Sequence, residues 1–84
     1  MFYTYVLWSE KLKKRYVGCA EVPKERLFQH NKGKNRFTRG GIPWILIYTE
    51  EFATLSEARK RELFFKSGTG RAWLDRELPL YRRT

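Results

Sequence analysis

Residues 2–8, FYTYVLW, and residues 15–20, RYVGCA, are dense in β-branched and aromatic side chains, while the stretch between them, Ser9 to Lys14, is polar. Short runs of this composition predict strands. A connection this short closes only an antiparallel hairpin, because a parallel crossover needs a dozen residues or more. Symmetric closure sets Tyr5 opposite Gly18 and Leu7 opposite Tyr16, so that Tyr5 and Tyr16 share one face as diagonal neighbours. Gly18 has no side chain and is expected to leave open room over the Tyr5 ring where a substrate can lie.

The pattern then changes period. Pro23 suits the first turn of a helix running to Asn31, with Leu27 as its apolar anchor and with Arg26 and His30 one turn apart on one face. Residues 32–41, KGKNRFTRGG, hold four basic side chains and three glycines. They form a loop, read either as a solvated turn or as a strip that contacts phosphates. Ile42 to Tyr48, with Pro43 at its start, is nearly continuously apolar and predicts a third strand buried on both faces, with Thr49, Glu50 and Glu51 leading out of it. Thr54 followed by Glu57 is a capping box, so a second helix begins near Leu55 and runs through Glu62 to about Lys66, where Ser67 and Gly68 end it. Leu55, Ala58 and Phe65 make its apolar stripe, with Glu62 at the border. A third helix is expected from about Arg71 to Leu78, with Trp73, Leu74 and Leu78 packing and Pro79 stopping it. Residues 79–84 form a short basic tail, of which Leu80 to Thr84 is expected to fray. The order β-β-α-β-α-α predicts an α+β (α/β) fold: a small three-stranded antiparallel sheet flanked by three helices, in a single domain over residues 1–84.

Composition narrows the function. At 84 residues the chain supports one modest core, and its 42% hydrophobic and 17% aromatic content excludes disorder. No apolar run is long enough for a membrane helix, and the chain opens on a strand-like segment rather than a leader, so a cytoplasmic location is expected. The lone Cys19 excludes an intramolecular disulfide and has no partners at zinc-ligand spacing; it is expected to fill space in its strand. Trp8, Trp44 and Trp73 fall in apolar elements and are expected in the core. The formal charge of +9 favours a polyanionic partner, with nucleic acid the leading candidate.

Several short motifs now line up. Tyr3-Thr4-Tyr5 and Tyr16-Val17-Gly18 are followed by Arg26 and His30 on the first helix, by PWILIYTEEF, and by EARKRE, which places Glu62 four residues after Ala58; Lys66 and SGTGR come next. In that order and spacing the chain resembles the GIY-YIG nuclease family in its compact stand-alone form, from residue 2 to about residue 75. The chain departs from the family pattern in two ways. Tyr3 and Thr4 stand where members often have Gly and Ile, and no Asn follows Asn35, so a late polar role falls to Lys66 or Ser67.

The resemblance implies a metal-dependent DNA endonuclease, structure-directed and with little sequence specificity. The alternative is a catalytically inactive basic nucleic-acid-binding module that keeps the fold. Hydrolysis of a phosphodiester needs an activated water, a proton acceptor, and positive charge for the phosphorane. By resemblance Glu62 binds a hard cation, Mg²⁺ or Mn²⁺, and Arg26 holds the scissile phosphate through two oxygens. Tyr16 or Tyr5 acts as the base, although a phenol near pKa about 10 needs a cation beside it, and His30 relays a proton or bonds the phosphate. Lys32, Lys34, Arg36, Arg39, Lys66 and Arg71 are the expected phosphate contacts. Glu57 is explained by the cap, and Glu50 and Glu51 by their place at the end of a strand. The expected partners are DNA, with RNA also open, and a targeting protein; no membrane partner is expected.

Overall fold

The first hairpin forms in the expected register: β1 (Phe2–Ser9) pairs antiparallel with β2 (Lys14–Ala20), with Tyr5 opposite Gly18 and Leu7 opposite Tyr16. The computed structural model describes residues 1–83. β3 (Trp44–Phe52) adds to the other side of β1, giving the strand order β2-β1-β3. The central strand is therefore β1, buried without interruption from Thr4 to Ser9, and β3 is an edge strand with Ile45, Thr49 and Glu51 exposed. This corrects the expectation that the apolar run at 42–48 is buried on both faces. β3 also continues past Tyr48, because Thr49 and Phe52 keep pairing with Tyr5 and Phe2.

Alternation along β1 sends its side chains into two cores. On one face Tyr5 and Leu7 meet Trp44, Tyr16, Leu27 and Ile42 beneath α1 (Pro23–Asn31). On the other, Val6 and Val17 meet Phe65, Leu74 and Trp73 from α2 (Leu55–Lys66) and α3 (Gly68–Glu77). A large apolar side chain fully buried in such a core contributes about 1.5–3 kcal/mol. The polar members of β1 are satisfied: Thr4 donates to Ala58 O at 2.7 Å, and Ser9 to Gly41 O at 2.7 Å. The observed order is β-β-α-β-α-α, an α+β fold with a three-stranded antiparallel sheet and three helices.

Helix limits follow from their caps. Thr54 accepts from the Glu57 N–H at 3.2 Å and its hydroxyl donates to Glu57 Oε1 at 2.9 Å, fixing the start of α2. α2 then meets the sheet at Ala58, and Leu55, one turn earlier, stays exposed instead of joining the stripe. α3 starts before the expected Arg71 because Ser67, which ends α2, also caps α3 by accepting from the Gly70 N–H at 3.1 Å. The segment after α3 is docked rather than frayed: Pro79–Tyr81 form a short 3-10 turn, the Tyr81 ring meets Trp8 edge-on at 5.8 Å, and Arg15 donates to Tyr81 O at 3.4 Å. Thr84, the last residue of the expected basic tail, lies outside the described residues. Among the described residues no helix is long and apolar enough to cross a membrane.

The loop before β3 is also fixed. Asn31 at the end of α1 accepts from Trp44 N at 2.7 Å and donates to Trp44 O at 3.0 Å, while the Trp44 indole donates to Thr38 O at 2.6 Å. These bonds set α1 and the loop against the face that carries Tyr5.

Candidate active site

Tyr5 projects from the central strand across its pairing partner on the edge strand. A Cβ placed at Gly18 would lie 2.6 Å from the Tyr5 phenol oxygen and 2.8 Å from Cζ. The expected open room does not exist, because the Tyr5 ring itself fills it. The glycine has a different use. It lets a ring rooted on β1 reach over β2 toward the free edge of the sheet.

α1 brings His30 to that phenol. His30 is 3% exposed, its Nε2 is 3.3 Å from the Tyr5 hydroxyl, and its Nδ1 is 2.8 Å from Thr38 Oγ1. Thr38 in turn donates to Asn35 O at 3.3 Å. With the Thr38 hydrogen spent there, Nδ1 carries the ring proton and Nε2 presents a lone pair to the phenol. Burial, with the charge of Arg26 added, holds the His30 pKa below its ordinary value, so the ring is neutral and able to accept a proton. Burial pushes the Tyr5 phenol up; the Arg26 guanidinium beside it pulls the other way, and Tyr16 and Glu62 oppose ionisation. The Tyr16 ring stands 4.8 Å from His30 and 6.5 Å from Tyr5.

Glu62 reaches the same edge from the opposite face of the sheet. Cys19 pairs with Thr4 on the α2 side of β2, and its thiol donates to Glu62 Oε1 at 3.0 Å, while Lys66 Nζ lies 2.6 Å from Oε2. Burial works against ionisation of Glu62, but the Cys19 and Lys66 hydrogen bonds and the charges of Lys66 and Arg59 outweigh it and hold the carboxyl below its ordinary value. The Cys19 thiol is pushed up to about 11 by burial and by the carboxylate it touches, so it remains protonated. Cys19 therefore does more than fill space: it occupies one oxygen of Glu62.

Two basic hollows flank this edge. One, of about 200 Å³, is lined by Arg26, Gln29, His30, Lys34 and Asn35. The other, of about 280 Å³, has Lys14, Tyr16, Lys66, Arg71 and Arg83 among its lining residues. Of the expected phosphate contacts, Lys34, Lys66 and Arg71 border a hollow. Lys32 instead sits over the exposed Phe28 ring at 5.1 Å, Arg36 is exposed, and Arg39 lies along Gly33. The remaining carboxylates near the sheet are engaged elsewhere. Glu50 takes a two-bond contact from Arg61 at 2.8 and 3.1 Å and a 2.6 Å bond from Tyr48, Glu51 accepts from Tyr3 at 2.8 Å, and Glu57 belongs to the cap. Burial and the Glu50 contact push the Tyr48 phenol up to about 12.

The family model for the GIY-YIG catalytic domain matches residues 1–74. The chain belongs to the GIY-YIG family. It is 40% identical over 60 residues to a UPF0213 protein of Streptococcus agalactiae, covering 70% of this chain and 68% of that one. It is 44% identical over 57 residues to a UPF0213 protein of Enterococcus faecalis, covering 64% and 65%, and 40% identical over 65 residues to one of Bacillus licheniformis, covering 76% and 66%. No solved structure gives a significant match.

A divalent cation fits the donor set of a GIY-YIG site here in a limited way. No cluster of three or more His, Cys, Asp or Glu occurs among the described residues. Glu62 offers one ionised, partly exposed carboxylate, which suits a hard cation that keeps several waters and takes further oxygens from a phosphate. The protonated soft thiol of Cys19 does not suit it, and Lys66 must leave Oε2 for the cation to bind there. Cys19 and Thr38 were absent from the sequence-derived site. The hairpin register carries a signal for Cys19, since it sets that residue on the face opposite Tyr16; nothing in the sequence singles out Thr38.

Proposed function

We propose that this protein is a divalent-metal-dependent DNA endonuclease with Tyr5, Tyr16, Arg26, His30 and Glu62 as its active-site residues, acting on branched or flapped forms with little sequence readout. The observation that carries this reading is the meeting of an ionised carboxylate and a neutral Tyr–His pair around one bare strand edge, between two basic hollows. The proton path starts at the attacking water. Its proton passes to the Tyr5 oxygen as Tyr5 gives its own to His30 Nε2, leaving an imidazolium held by Thr38. Tyr5 has the acceptor behind it but is 0% exposed, so this path needs the attacking water to reach its oxygen once substrate seats against the strand edge; the half-buried Tyr16 is the alternative acceptor. Arg26 binds two oxygens of the scissile phosphate and offsets the developing charge. Tyr16, half-buried between His30 and the second hollow, orients the phosphate or the water. Mg²⁺ or Mn²⁺ held by Glu62 would supply Lewis-acid stabilisation of the phosphorane. We take residues 1–84 as one nuclease domain working in the cytoplasm, where the free thiol of Cys19 stays reduced.

One observation favours a second reading, an inactive nucleic-acid-binding module: both oxygens of Glu62 are already engaged, by Cys19 and Lys66. A single experiment separates the two. Labelled single-stranded, duplex, flap and four-way-junction DNA are incubated with the parent and with Glu62→Ala in Mg²⁺, Mn²⁺ or EDTA. Cutting that requires both the metal and Glu62, with binding preserved in the variant, is expected. Salt-sensitive binding without cutting under any condition gives the second reading, and cutting by Glu62→Ala at the parental rate refutes the metal assignment.

A further inference from the structure

The hollow beside Tyr16 is built in part by chain that the family match does not reach. The match ends at residue 74, yet Asp75, Tyr81 and Arg83 complete this part of the molecule. Arg15, whose side chain is 4% exposed, ties them to β2: its guanidinium pairs with Asp75 at 2.9 Å and donates to Tyr81 O at 3.4 Å, while Tyr81 rests on Trp8. These contacts fold the residues after α3 back across the hairpin and set Arg83 on the rim of the hollow. Lys14 and Arg71 share that rim, and among the described residues none of these three cations has an ion-pair partner. The bottom is apolar, formed by Val17, Phe65 and Leu74.

We propose that this hollow is a binding site for a single-stranded arm of a nucleic-acid substrate, and that the docked turn at residues 79–83 is an integral part of it. The proposal rests on the nuclease reading for its substrate class but not on catalysis. A cationic rim grips the phosphates of one strand, and the small apolar surface that Val17, Phe65 and Leu74 leave open, at 7%, 1% and 1% exposure, gives an unpaired base van der Waals contact rather than a stacking platform. The hollow, of about 280 Å³, takes in part of an unpaired nucleotide, whereas a duplex meets only its rim. It also leads to the right place: Tyr16 lines it and stands 4.8 Å from His30, and Lys66 lines it while holding Glu62. A strand lying there runs up to the Tyr5–His30 pair, and the hollow with Arg26 and Lys34 lies beyond. The substrate selected is then one that joins single-stranded to double-stranded nucleic acid.

The test is equilibrium binding in EDTA, so that nothing is cut, with the full chain and two probes: a short blunt duplex, and the same duplex carrying an oligo-dT arm. The parent is expected to bind the armed duplex more tightly. The double variant Lys14→Ala/Arg83→Ala should lose about tenfold on the armed probe and less than about twofold on the blunt one, and its log–log salt slope on the armed probe should fall by about 1.4, the loss of two single-strand phosphate contacts. Lys14→Arg/Arg83→Lys, which keeps the charges, should bind like the parent, and matching melting curves show that the fold is intact. Equal losses on both probes mean that the rim acts as general positive charge or meets duplex, and overturn the proposal. So does parental binding by the alanine variant, or tighter capture of an acidic peptide than of the arm. If the hollow fails while metal-dependent cutting holds, only this proposal falls; if armed binding holds and nothing is cut, only the nuclease reading falls.

Discussion

Replacing Gly18 by Ala tests whether the Tyr5 ring depends on a bare partner. The backbone at Gly18 has no positive φ, so in an ordinary strand the change would be mildly stabilising, by about 0.5–1 kcal/mol. Here the new methyl would lie 2.6 Å from the phenol oxygen, 2.8 Å from Cζ and 3.1 Å from Cε2. The ring cannot yield cheaply, since Tyr5 is 0% exposed and its hydroxyl is bonded to His30. Overpacking a filled site costs about 1–3 kcal/mol, and stripping a buried hydroxyl of its partner costs a further 1–3 kcal/mol or so if the ring swings away. After subtracting the strand gain, the net loss is about 1–2 kcal/mol if the ring holds its place and about 1–5 kcal/mol if it swings away. In a domain of this size that lowers the melting temperature by about 4–8 °C per kcal/mol. Urea denaturation followed by Trp fluorescence should show a lower midpoint at unchanged slope, and single-turnover cleavage should fall by about 10²–10⁴, the range for a misplaced general base. Tyr5→Phe removes the atom in closest conflict but leaves Cζ, so on the Gly18→Ala background it should cost less than on the parent, with a coupling of about 1 kcal/mol. Stability equal to or above that of the parent, or strict additivity of the two changes, would refute the argument.

Three further outcomes are expected. The His30 pKa is depressed in the folded state, so the unfolded chain binds the extra proton first; stability is full above about pH 6.5 and is lost as pH falls from there through the folded value, and His30→Gln should flatten that part of the stability–pH curve. Lys66→Ala frees Oε2 of Glu62, and because an exposed ion pair is worth about 1 kcal/mol at most, Mn²⁺ affinity of the DNA-free protein measured by EPR should rise by up to about fivefold; no change would show that Lys66 does not compete with the cation. Arg61 binds Glu50 through two bonds and lies 4.6 Å over Phe65 and 4.9 Å over Trp73, so Arg61→Ala should cost about 1–3 kcal/mol by urea denaturation, and Arg61→Lys, which lacks the flat guanidinium, should recover little of it.

What the sequence makes legible here is local. The hairpin register follows from a short polar connection, and the start of α2 follows from Thr54 and Glu57, because each depends on residues close in the chain. Which strand lies in the middle is not local. The run Ile42 to Tyr48 is more continuously apolar than residues 2–9, yet it lies at an edge, since the central strand can carry Thr4 and Ser9 once Ala58 O and Gly41 O are there to receive their hydroxyls. Gly18 shows the same limit more sharply: a missing side chain means space only until the neighbouring ring is placed, and Tyr5 takes that space. Thr38, eight residues beyond His30 in an irregular loop, has no periodicity to announce it, and the docking of Tyr81 on Trp8 joins the two ends of the chain. The candidate site itself defeats face-by-face reading. Tyr5, Tyr16 and His30 belong to one side of the sheet and Cys19 and Glu62 to the other, so helical and strand periods sort them into separate cores. They converge because β2 is an edge strand only one backbone wide, and because Gly18 within it lets the phenol cross.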